Sequence, residues 1–123
     1  MTGQKWKGSD PALGLLLDTH GETFLLESGF WIKMEAWLVE PRREIPHGIR
    51  YSLSLHDRYG TRILGFDNAH GLRTGRSRSG KKPLAWDHLH LEKKSEPYEF
   101  TSAGQLMIDF WQAVNSWLES KRF

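Results

Sequence analysis

Cysteine is absent from all 123 residues. That excludes disulfides, thiolate nucleophiles and cysteine-based zinc sites, and it fits a reducing compartment. Apolar runs long enough to span a bilayer are missing too, and the opening MTGQKWKGSD lacks the apolar segment of a secretory signal. The expected compartment is the cytoplasm, with no membrane among the partners. Acidic residues are missing from one stretch in particular. Arg73, Arg76, Arg78, Lys81 and Lys82 follow one another with no Asp or Glu between them. The net charge of the chain is only +2, so a polyanion would respond to this clustering rather than to the total.

The chain is 38% hydrophobic and 26% charged, a composition that folds and buries a core. The expected organisation is a loose polar leader over residues 1–11 and one domain over residues 12–123. Six tryptophans are many for this length, and each can anchor a core or offer a stacking surface.

Ala12 to Leu17 is a short apolar run that reads equally as strand or helix. Thr23 to Glu27 reads as a strand that turns at Ser28-Gly29 into a longer one. In that longer strand Phe30, Ile32, Met34, Ala36 and Leu38 share a face, and Trp31, Lys33, Glu35 and Trp37 take the other. Prolines make Glu40 to Gly48 a loop. Ile49 to His56 alternates again, Asp57-Arg58-Tyr59-Gly60 is a turn, and Arg62 to Asn68 returns as the partner strand. Trp86 to Glu92 is a further strand. A helix begins near Ser102, where Ser102 and Gln105 have capping-box spacing, and Leu106, Phe110, Ala113 and Trp117 form its apolar stripe. Lys121 and Arg122 suit its negative end. The fold class expected is α+β: a single, largely antiparallel sheet of about five to six strands with the C-terminal helix packed on one face.

The residues with chemistry to offer lie between Arg62 and Glu92. Asp67, Asn68 and His70 end one strand and enter the basic loop; His88 and His90 lie on the strand that leaves it. Alternation puts Leu89 and Leu91 on one face, and Trp86, His88 and His90 on the other, so two imidazoles can converge on one phosphate or one metal. Histidine exchanges protons near neutral pH, and a carboxylate holds its ring. The loop composition favours mobility, and its cations can close over a phosphate backbone. His70, His88, His90 and Asp67 are conceivable metal ligands, but no short spaced motif accompanies them, so a metal-free site without a cofactor is expected. His20, His47 and His56 are scattered and read as ordinary.

Taken together, HGIRYSLSLHDRYGTRILGFDNAHG, a loop, a His-x-His strand and EPYEFTSAGQLMIDFWQAV resemble the TumE-type toxins of prokaryotic toxin–antitoxin modules. The family's elements fall here on Tyr51, Asp67, Asn68, His70, His88, His90 and Pro97 to Phe100, over roughly residues 13–118. The resemblance implies an intracellular toxin neutralised by a cognate antitoxin, one with a helix-turn-helix; the sequence is also compatible with self-association.

The leading expectation is cleavage or modification of RNA without a metal. His88 or His70 acts as general base or acid on a ribose 2′-hydroxyl and the leaving oxygen, and His90, Asp67 and Asn68 complete the site. Arg73, Arg76, Arg78, Lys81, Lys82 and Tyr51 are the expected nucleic-acid contacts. The alternative is a non-catalytic nucleic-acid-binding or regulatory module, in which Trp31, Trp37 and Trp86 stack bases.

Overall fold

The computed structural model describes residues 10–68, 72–73 and 84–121, with the backbone alone at Leu72, Arg73, Leu84 and Ala85. The elements in order are α1 (Leu13–Asp18), β1 (Glu22–Leu25), β2 (Trp31–Leu38), β3 (Ile49–His56), β4 (Arg62–Asp67), β5 (Leu72–Arg73), β6 (Leu84–Ala85), β7 (His88–Leu91), β8 (Lys94–Pro97) and α2 (Ala103–Ser120). Six strands form one sheet in the order β1-β2-β3-β4-β7-β8, every neighbouring pair antiparallel, while β5 and β6 pair as a separate ribbon. Apart from that ribbon, each strand therefore lies beside its predecessor among the sheet strands, as short turns require.

Alternation decides which face is covered. Ile32, Met34 and Ala36 of β2, Ile49, Tyr51, Leu53 and Leu55 of β3, and Leu64 and Phe66 of β4 are buried together with Ala103, Leu106, Phe110 and Val114 of α2. This is the α+β sheet with a helix on one face. The apolar run at residue 12 resolves as helix, and Leu13 and Leu16 pin α1 to the same core.

Three local readings change. The first strand stops at Leu25, because Glu27–Gly29 forms a 3₁₀ turn with Ser28 at φ 65° and Gly29 at φ 86°. The tetrapeptide Lys94–Pro97, fully exposed and without alternation, is the edge strand β8; backbone pairing with β7 makes it a strand where no side-chain pattern announces one. At α2 the Ser102 hydroxyl accepts from the Gln105 N–H at 3.0 Å as expected, but the Gln105 amide does not return the bond. It donates instead to Asp109 at 2.8 Å, and a second helix-start N–H, that of Ala103, is taken by Asp10 at 2.8 Å.

Candidate functional site

The register of β4 on β7 sets Asp67 opposite His88 and Gly65 opposite His90. Leu64, Phe66 and Leu89 pack against the core on the helix side, so Asp67, His88 and His90 project from the other face. A Cβ at Gly65 would stand 3.3 Å from the Leu53 carbonyl and 3.4 Å from Arg62 Cδ.

The atoms then fall close together. His88 Nε2 lies 2.9 Å from Asp67 Oδ1 and His90 Nε2 lies 3.4 Å from Oδ2, with Arg62 at 3.8 Å from the same Oδ2. The two rings meet edge to face at 4.6 Å. His88 is buried at 3% exposure, whereas Arg62 reaches solvent.

Hydrogen accounting narrows the chemistry. His88 Nδ1 lies 2.9 Å from the Trp86 carbonyl, which only accepts, so Nδ1 carries a hydrogen and donates it. Nε2 then faces a carboxylate. An unprotonated ring nitrogen and an ionised carboxylate both only accept, so a hydrogen bond across this contact requires a proton on one of the two. His90 differs: burial, then the Arg62 guanidinium, push its pKa below the usual histidine value, with Asp67 acting the other way. Its Nδ1 is 2.7 Å from the Ser95 hydroxyl on β8.

Asn68 follows directly and turns inward. Its side chain accepts from the Tyr51 N–H at 3.1 Å and donates to the Ile49 carbonyl at 2.8 Å, and its own N–H reaches the Tyr51 carbonyl at 3.3 Å. Fully buried, it clamps the end of β4 to β3 and sits behind the acid–base groups.

Tyr51 occupies the helix side at 1% exposure, where no base can stack on it. Its hydroxyl donates to Asp87 Oδ2 at 2.8 Å, and His47 Nε2 meets the same oxygen at 2.8 Å. His47 Nδ1 accepts from the Ile49 N–H at 3.2 Å, so the hydrogen of the neutral ring sits on Nε2 and points at Asp87. The ring also stacks on Phe100 at 3.8 Å. Burial, and then Asp87, hold the Tyr51 hydroxyl well above the ordinary tyrosine range. His47 is thus no ordinary histidine, and neither it nor Asp87 stands out in sequence. The available signal was Asp87 alternating onto the same face as Leu89, since a carboxylate facing an apolar core needs partners. Gly48, at φ 73°, lets the loop place His47, and a Cβ there would stand 3.1 Å from the Val39 carbonyl.

His70, Arg76, Arg78, Lys81 and Lys82 lie outside the described residues, and at Arg73 only the backbone is described. The ribbon of Leu72–Arg73 with Leu84–Ala85 joins the two ends of the basic segment. Both ends thus belong to the connection between Asp67, the last residue of β4, and His88, the first of β7. Beside the site, a cleft of about 500 Å³ is lined by Arg62, Lys93 and Lys94 along with Glu92.

A family model described as Toxin TumE matches residues 20–118. The chain belongs to the TumE toxin family. The TumE match runs from before β1 into the last turns of α2 and so contains both side-chain clusters and the whole basic segment. No curated protein and no solved structure gives a significant match. Among the described residues, no helix is long and apolar enough to cross a membrane.

Proposed function

We propose that this TumE-family chain is the toxin of a toxin–antitoxin pair that cleaves RNA in the cytoplasm at Asp67, His88 and His90, and that a cognate helix-turn-helix antitoxin restrains it. The observation that carries the reading is an imidazole, His90, whose pKa burial lowers, set 3.4 Å from a carboxylate that His88 Nε2 meets at 2.9 Å. Attack by a ribose 2′-hydroxyl needs one proton removed and one delivered. His90 Nε2 takes the proton from the 2′-oxygen as that oxygen bonds to phosphorus. The Asp67–His88 pair gives its proton to the 5′-oxygen as the phosphorus–oxygen bond breaks. Transfer from His90 to Asp67 across the 3.4 Å contact then restores both groups.

The phosphate charge needs cations, and Arg62 is the described one nearest the site, with Lys93 and Lys94 along the adjoining cleft. Arg73, Arg76, Arg78, Lys81 and Lys82 extend that field along the substrate. His70, three residues after Asp67, is a second candidate for delivering the proton.

The test is purified protein with a defined RNA in excess chelator, read by the products formed. Cleavage to a 2′,3′-cyclic phosphate and a 5′-hydroxyl is expected, with a loss of about 100-fold or more in His90→Ala and in Asp67→Asn at unchanged RNA affinity. Affinity without product in the unaltered chain would instead support a binding module, and cleavage indifferent to His90→Ala would move the chemistry elsewhere.

A further inference from the structure

Both histidines of the outer cluster use the same nitrogen for a hydrogen bond away from Asp67. His88 Nδ1 is held by the Trp86 carbonyl at 2.9 Å and His90 Nδ1 by the Ser95 hydroxyl at 2.7 Å, which leaves each Nε2 directed at Asp67. The three potential donor atoms lie within 4.8 Å of one another. An outer hydrogen bond that fixes Nδ1 and frees Nε2 is how metal-bound histidines are oriented. Two ligand atoms, each about 2.1 Å from one ion at a tetrahedral angle, stand about 3.4 Å apart. That is the separation of His90 Nε2 from Asp67 Oδ2; His88 Nε2 meets the other oxygen, Oδ1, at 2.9 Å, so the carboxylate must turn and that contact open to admit an ion. Two imidazoles and one carboxylate suit zinc-class ions better than magnesium or calcium, which prefer oxygen throughout. Arg62, 3.8 Å from Asp67, opposes a cation, so the site is tuned against tight binding without being closed to it.

We propose that Asp67, His88 and His90 bind one zinc-class divalent ion, through the two Nε2 atoms and the Asp67 carboxylate. Binding occupies the Nε2 lone pairs of both imidazoles. The ion therefore blocks the acid–base route, a consequence that rests on the function proposed above, whereas the ion site itself does not.

Zinc sulfate titrated calorimetrically into the intact, chelator-treated chain decides the first point. One ion per chain is expected. His90→Ala, chosen because His90 is less buried than His88 and checked for folding by its metal-free melting curve, should bind at least about tenfold more weakly. Arg62→Gln should bind more tightly, a gain that misfolding cannot imitate. Absence of stoichiometric uptake, or uptake that neither substitution alters, overturns the site; displacement of zinc by magnesium in about a hundredfold excess overturns the ion class. Zinc is then added to the chelator-free RNA reaction. Suppression at one equivalent supports the block, and unchanged cleavage by the zinc-loaded chain overturns it. Cleavage that requires zinc overturns the block and the acid–base route but keeps the site. A chain that never cleaves RNA defeats the proposed function, and the calorimetry still decides the ion.

Discussion

The Asn68 amide spends its oxygen on the Tyr51 N–H and its nitrogen on the Ile49 carbonyl, both in β3. Asp67 is the residue before it, so this clamp fixes where the carboxylate stands relative to His88. Asn68→Ala leaves a buried donor and a buried acceptor without partners, at about 1–3 kcal/mol for each unmade bond. The expected outcome in urea denaturation is a lower midpoint with an unchanged slope, and a midpoint within error of the unaltered chain would mean that water replaces the amide. The inner cluster makes a related prediction. Tyr51→Phe removes one of the two donors to Asp87 Oδ2 while keeping the ring that packs near Phe100. Its cost should be about 1 kcal/mol, and His47 should still reach Asp87. Loss of folding on that change would show that the hydroxyl holds far more than one hydrogen bond.

Among elements, α2 carries the plainest energetics. Its stripe of Leu106, Phe110 and Val114 lies fully inside the core, and Phe110 meets Phe66 of β4 edge to face at 6.0 Å. Phe110→Ala should cost about 3–5 kcal/mol, a large share of the stability of a domain this size. Ser102→Ala should cost less, about 1 kcal/mol, because Asp10 still serves the Ala103 N–H. The order of the two thermal melting shifts checks the assignment, and a larger shift for Ser102→Ala would contradict it. β8 matters for a different reason. Its backbone completes the pairing of β7, and its Ser95 hydroxyl meets His90, so a strand with no side-chain pattern of its own positions one of the three groups at the site.

At the scale of the whole molecule two conditions, acidity and salt, separate stability from binding. His56 stacks on Trp31 at 4.1 Å, and burial holds its pKa below the usual 6.5; Arg62 and Lys33 add to the lowering, while Asp57 and a backbone hydrogen bond oppose it. The unfolded chain therefore takes up a proton at this position before the folded one does. The contribution is fully present above about pH 6.5 and is lost as the pH falls through that value toward the folded pKa. Urea midpoints at pH 7.5 and 5.5 should fall further for the unaltered chain than for His56→Gln; equal falls would assign the acid sensitivity elsewhere. Salt tests the proposed RNA binding. Replacing Arg76, Arg78, Lys81 and Lys82 with serine should weaken RNA binding and flatten its dependence on salt concentration, by up to about one unit of log–log slope for each phosphate that is no longer neutralised. A slope that does not change would place the RNA away from this segment.

Alternation along β2, β3, β4 and β7 told from sequence which side chains face the helix and which face away, because strand periodicity is local, but not that His88 and Asp67 are buried on the far face. The Ser102 cap and the α2 stripe were legible for the same reason, and the order of motifs from Tyr51 to Phe100 carried the family. Tertiary structure alone decided that Asp67 stands opposite His88 and Gly65 opposite His90, since register joins residues about twenty apart in the chain and no local pattern encodes it. It also decided the fate of Tyr51, turned inward beneath the site, and brought His47 forty residues along the chain to Asp87. A histidine in a loop and an acid in a strand have no visible relation until the sheet forms, because the bond between them depends on two side-chain directions that only packing sets.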